Sequence, residues 1–204
     1  MDNLVSSFCA VEALADISHI SEGNVNCIAL FNHEEVGSGS STGASGSLIP
    51  VLLQRLSPES SAYAQSVAKS FLISADMTHA VHPSYPGKHE ENHQPIINGG
   101  IAIKVNHNQK YASDTLGTFL ARKLMESKGG KVQEFVARND MPCGSTVGPL
   151  LSKIGIRTVD VGNPMLSMHS CREMAGAHDV QSAIDLFSAF FEGFAELDAQ
   201  LELE

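Results

Sequence analysis

Several features are missing from the 204-residue sequence, and each absence removes a class of function. No basic stripe or polybasic run exists. The 13 Lys and Arg stand against 23 Asp and Glu, for a net charge of −10. Nucleic acid and anionic membrane surfaces are therefore poor partners. No cysteine pair has a CxxC or finger-like spacing. Cys9, Cys27, Cys143 and Cys171 are scattered, which argues against a thiolate zinc site and for reduced thiols in a cytoplasmic setting. No stretch reaches the roughly 18–20 uninterrupted apolar residues of a membrane span. Met1-Asp2-Asn3 carries no basic segment ahead of an apolar run, so no secretory signal is expected. Repeats and low-complexity tracts are also lacking.

What is present suits one globular domain. Hydrophobic residues make up 43% and charged residues 18%, enough apolar material for a real core. Leu4, Phe8, Val11 and Leu14 recur at helical spacing and predict an opening amphipathic helix. A Ser-Glu-Gly-Asn turn at 21–24 precedes Val25 to Phe31, an apolar run that reads as a buried central strand. A Gly/Ser-rich loop over 32–47 leads into a helix near 46–56. Pro58-Glu59 reads as the start of another helix. Phe71 to Ala75, Gly100 to Val105, Val132 to Arg138 and Ile156 to Val161 read as strands. Asp114 is placed to cap a helix bearing Leu116, Leu120 and Leu124, a short helix covers 148–154, and a last helix carries Val180, Ile184, Phe187, Phe191 and Phe194. Strands alternating with helices predict an α/β fold with a mostly parallel sheet flanked by helices.

The residues with chemical potential fall just after strand-like runs: Glu34-Glu35, Asp76, Asp140 and His169. Ligands of open α/β sheets bind beyond the carboxyl ends of strands, so these residues could converge. Taken singly, each has an ordinary explanation. A Glu-Glu pair is usually a solvated loop, a lone Asp at a strand end a turn or cap residue, and a lone His a satisfied structural group. The functional alternative divides the labour of the pair: one carboxylate binds a metal while its neighbour takes a proton from water. Asp76 would be a hard oxygen ligand and His169 a neutral imidazole ligand. His89 and His93, four apart, are bracketed by Pro83, Pro86 and Pro95 and do not form a helical metal pair.

Read as words, the same blocks resemble the aspartyl aminopeptidases, zinc metallopeptidases of the M18 family that remove N-terminal Asp or Glu. The resemblance runs through Asp2-Asn3-Leu4, Glu34-Glu35-Val36-Gly37-Ser38, Ser74 to Pro83, Lys104-Val105-Asn106 with Tyr111-Ala112, Asn139 to Thr146, and Gly162 to Ser170, in order along nearly the whole chain. It implies a partial metallo-aminopeptidase catalytic domain with two zinc ions. Asp2 is implied as the bridging ligand, Glu35 and His169 as ligands of one zinc, Asp76 as ligand of the other and Glu34 as general base. His79, Lys104 and Tyr111 are implied as substrate contacts; the Lys104 ammonium would suit an acidic P1 side chain.

Family members are about twice this length. The expectation is therefore that residues 1–204 are the C-terminal portion of the catalytic domain, with an upstream segment (further strands and one more histidine ligand) and an assembly domain absent. A homo-oligomer is expected when those are present. A truncated, non-catalytic remnant acting as a binding or assembly module is the competing expectation. A two-metal aminopeptidase of different specificity is a third.

Overall fold

The computed structural model describes residues 1–57 and 59–201. Pro58, the expected helix start, lies outside the described residues. The elements in order are α1 (Leu4–Ala15), α2 (Leu48–Leu56), α3 (Ser60–Lys69), β1 (Phe71–Ala75), β2 (Thr78–His79), β3 (Ala102–Val105), α4 (Thr115–Ser127), β4 (Gln133–Val136), α5 (Gly148–Ser152), β5 (Arg157–Gly162), β6 (Pro164–Leu166), β7 (Met174–Ala175) and α6 (Ala177–Ala199). Short 3₁₀ turns cover Glu34–Val36 and Pro86–Lys88.

Side chains alternate along the main sheet, and the alternation sorts them into two environments. Ile103, Val159 and Val161 turn to one face. There they form the core with Ala121, Leu124 and Met125 of α4, and with Ala183, Leu186, Phe187 and Phe191 of α6. The residues between them, Lys104, Thr158 and Asp160, are also buried, so the other face of the sheet is buried too and sets polar groups beside the apolar Ala102 and Phe135. That polar face matters for the site.

The expected α/β class holds, with the sheet mixed. The four strands run in the order β1-β5-β3-β4. β1 with β5 and β3 with β4 are parallel, and β3 with β5 is antiparallel. A smaller sheet, β2-β6-β7, is parallel at β2–β6 and antiparallel at β6–β7. The Asp114 cap is present: its carboxylate accepts a hydrogen bond from Gly117 N at 2.6 Å.

Two expectations are corrected. Val25 to Phe31 is not a strand. A strand needs a ladder partner, and among the described residues none pairs with it; Val25 and Leu30 are 68% and 60% exposed. Instead Asn26 Nδ2 donates to Phe191 O and Ile28 packs on the core. The α1 stripe is also corrected in part, since of its four residues only Leu14 packs on the core. Leu4, Phe8 and Val11 face solvent, whereas Ser6, Cys9 and Ala13 are buried. Small residues let α1 lie close to α6, and close approach decides the buried face over hydrophobicity.

One buried carboxylate stitches the core to the loop before β3. Asp179, fully buried in the first turn of α6, accepts from Asn98 N and Gly100 N, both at 2.8 Å. Asp179→Ala would orphan both amides, at about 1–3 kcal/mol each. A loss of roughly 2–6 kcal/mol is expected, read as a lower urea midpoint at unchanged slope.

Candidate metal centre

Two loops beyond strand ends, one 3₁₀ turn and the segment ahead of α1 carry the site. β1 runs into Asp76, whose amide donates to Val161 O at 3.0 Å. β5 ends at Gly162, which lies flush against that bend: a Cβ there would stand 1.8 Å from Asp76 O. β6 leads to His169, which adopts φ 66° in the left-handed region, uncommon for a residue other than glycine. Glu34 and Glu35 occupy a 3₁₀ turn that begins at His33 (φ 66°) and ends at Gly37 (φ 101°). Asp2 immediately precedes α1.

These distant segments meet. His169 Nε2 lies 3.0 Å from Asp2 Oδ2 and 2.8 Å from Glu35 Oε1. One ligand atom each from Asp2, Glu35 and His169 falls within a 4.8 Å span. The Asp76 carboxyl lies against Asp2, and its Oδ2 accepts from Lys104 Nζ at 2.9 Å. Asp2 thus stands between the Glu35–His169 pair and Asp76. Asp140 does not join the cluster; it is exposed and paired with Arg138.

The electrostatics are those of crowded carboxylates. Burial, then the charge of Asp76, raises Asp2 to about 6. Burial, then Asp76, Glu35 and Asp2, raises Glu34 to about 7, against the opposing charge of Lys104. Burial pulls His169 down, but Glu35 and Asp2 outweigh it and raise its pKa. Asp2 Oδ1 is buried with no hydrogen-bond partner, although buried polar atoms are almost always satisfied. An orphaned carboxylate oxygen beside a second carboxylate and an imidazole fits a divalent cation. The O/O/N donor set suits zinc.

The three expected substrate contacts flank this cluster. His79 is exposed, and its pKa is lowered by the protein crowded around it and by the nearby Lys104. Tyr111 is 8% exposed, and burial raises its pKa. Lys104 is only 2% exposed. Its ammonium is committed to Asp76 Oδ2 and to Met77 O at 3.0 Å, and lies 4.8 Å from the Tyr111 ring centroid. Its charge reaches the cleft from behind Asp76 rather than from an open pocket wall.

Two supporting acids are not apparent in the motifs. Glu173 accepts from His169 N at 2.8 Å and from Asp2 N at 3.2 Å, binding two cluster residues through their backbones. Nothing in its sequence setting marks it. Asp160 is fully buried on the polar face of β5. Its signal was visible: one acid between Val159 and Val161 in an apolar strand.

Comparison with known proteins identifies the family. The family model described as aminopeptidase I zinc metalloprotease (M18) matches residues 1–191. A Ricinus communis chain named "Probable aspartyl aminopeptidase" is 49% identical, over all of this chain and 44% of its own length. Aspartyl aminopeptidase 1 of Schizosaccharomyces pombe is 46% identical, over all of this chain and 45% of its own. The present chain therefore spans less than half the length of these relatives. A solved structure of a complex of Ape4 and Nbr1 superposes with TM-score 0.93 at 46% identity, covering all of this chain and 40% of that one. A yeast mature Ape1 described as a dodecamer superposes with TM-score 0.83 at 32% identity, covering 99% of this chain and 47% of that one. Sequence, fold and the meeting of Asp2, Glu35 and His169 lead to one assignment: the chain belongs to the M18 family of zinc aminopeptidases.

Proposed function

We propose that this chain carries the metal-binding and catalytic part of an aminopeptidase that removes N-terminal Asp or Glu from peptides. The observation that carries the reading is the convergence of Asp2, Glu35 and His169 within 4.8 Å, around a buried Asp2 oxygen that has no partner.

Asp2, Glu35, His169 and Asp76 would hold the two zinc ions expected of the family. When bound, zinc lowers the pKa of water and polarises a carbonyl. The residues of the chain do the rest. Glu34, beside the ligands but outside their close group, accepts a proton from the attacking water and returns it to the departing amine. Lys104 holds the Asp76 carboxylate and keeps one positive charge in an otherwise acidic cleft. His79 and Tyr111 wall the space beside it. The names of the relatives favour an acidic N-terminal residue, and the Lys104 charge is compatible with one. The upstream catalytic segment and assembly domain correspond to the remainder of the relatives' length, and the homo-oligomeric state is proposed on the same basis. A cytoplasmic setting is proposed from the unpaired cysteines; among the described residues no helix is long and apolar enough to cross a membrane.

A non-catalytic binding or assembly module is the second reading. The exposed stripe of Leu4, Phe8 and Val11 favours it, because contiguous apolar surface commonly marks a contact face.

His169→Ala tests the main reading. One zinc ion per chain should be lost, measured by mass spectrometry of metal content, with the fold unchanged by circular dichroism. Unchanged zinc would remove His169 from the ligand set.

A further inference from the structure

The Asp160 carboxylate lies behind the cleft and touches none of the proposed ligands. It is fully buried on the polar face of β5. Its Oδ2 accepts from Ala112 N at 2.6 Å. Its Oδ1 accepts from the hydroxyl of Thr146. Its backbone N–H donates to Ser113 Oγ at 2.8 Å. Gly148 packs directly on it: a Cβ there would meet Oδ2 at 2.5 Å and Oδ1 at 2.7 Å. One residue thus gathers two loops, 106–113 before α4 and 143–147 before α5, and the first residue of α5. A structural acid could have been left at a surface turn. Here a carboxylate is buried without an ion pair of its own, and burial raises its pKa. Burying it is costly, and the return is the fixed path of those two loops.

The residue next to Ala112 is Tyr111. Its ring stands edge-on to Phe135, with centroids 6.3 Å apart, and lies under Lys104 Nζ at 4.8 Å. Lys104 in turn holds Asp76. Release of the Ala112 amide would free the loop at the point where Tyr111 leaves it.

We propose that Asp160 is a positioning residue that sets Tyr111, and through it Lys104, against the cleft. The proposal deepens the peptidase reading and rests on it for the catalytic consequence, but the placement of Tyr111 can be read without any turnover.

The test labels the chain with 3-fluorotyrosine. The sequence has three tyrosines, so Tyr63 and Tyr85 serve as internal controls and Tyr111→Phe assigns the third ¹⁹F resonance. In Asp160→Ala the Tyr111 resonance should move to the position it takes in urea while the other two stay. In Asp160→Asn it should return to the wild-type position. The amide oxygen can still accept from Ala112 N, and its NH₂ can donate to Thr146 Oγ1 in place of the hydroxyl proton. Thr146→Val removes one arm only and should shift Tyr111 less, in the same direction; it decides the matter if Asp160→Ala does not fold. A stationary Tyr111 in folded Asp160→Ala or in Thr146→Val, or a failure of Asn to restore it, overturns the proposal. Turnover of an Asp-anilide by Asp160→Ala should fall about 10²-fold, the cost of a small misplacement. A moved Tyr111 in a chain with no wild-type turnover would leave the positioning role intact and count against the peptidase reading alone.

Discussion

Glu34→Gln is expected to leave bound zinc unchanged and to lower kcat on an Asp-anilide by about 10²–10⁴-fold, the range for removal of a general base. The two halves of the result separate the adjacent glutamates. Glu35 supplies an oxygen 2.8 Å from His169 Nε2 and belongs to the close ligand group. Glu34 does not belong to that group, although it feels the charges of Asp76, Glu35 and Asp2. A glutamine keeps the shape and a hydrogen-bonding oxygen but cannot take a proton at neutral pH. Lost zinc in Glu34→Gln would make Glu34 a ligand. Retained zinc with retained turnover would deny it the role of base.

Gly162→Ala should be the most damaging single-methyl change in the chain. The new Cβ would stand 1.8 Å from Asp76 O and 2.9 Å from the Met77 carbonyl carbon. Both neighbours are backbone, so no side chain can swing aside. Relief requires moving the 76–77 peptide, which breaks the Asp76 N–Val161 O hydrogen bond and displaces a proposed ligand. Overpacking of this kind costs about 1–3 kcal/mol, equivalent to roughly 2–12 °C in Tm for a domain of this size. Zinc on the Asp76 side should be lost together with the stability. An unchanged Tm with full zinc would show that β5 and the Asp76 bend are less closely seated than described.

The contrast between these positions bears on what the sequence reveals. Strands with ladder partners were legible, because Phe71–Ala75 and Ile156–Val161 combine apolar content with clear boundaries. Val25–Phe31 has the same content and no partner, and composition carries no information about a partner. Helix α1 was located by its period, but its face was misjudged: periodicity reports spacing, while the buried side was set by how closely Ser6, Cys9 and Ala13 let α6 approach. The Asp114 cap was legible because capping is local, from residue 114 to residue 117. Position after strand-like runs marked Asp76 and His169 only as groups that could converge, and Asp2 entered through the family resemblance alone. Asp2 and His169 are 167 residues apart, and their 3.0 Å contact depends on where the start of α1 is seated against the loop after β6. The link from Lys104 to Asp76 was hidden for the same reason: period-2 alternation puts Lys104 on the buried polar face, and only the neighbouring strand order shows which acid it meets. Asp160 meets Ala112 N, and Glu173 meets Asp2 N, across long stretches of sequence, relations that no local pattern encodes.

Calorimetric zinc uptake by the metal-free chain, with Asp-anilide hydrolysis followed on the same sample, tests the proposed peptidase metal centre of Asp2, Glu35, Asp76 and His169. Uptake should saturate at two zinc ions per chain, and hydrolysis should appear with zinc and disappear with chelator. No saturable uptake, or a single ion with no hydrolysis, would contradict that centre.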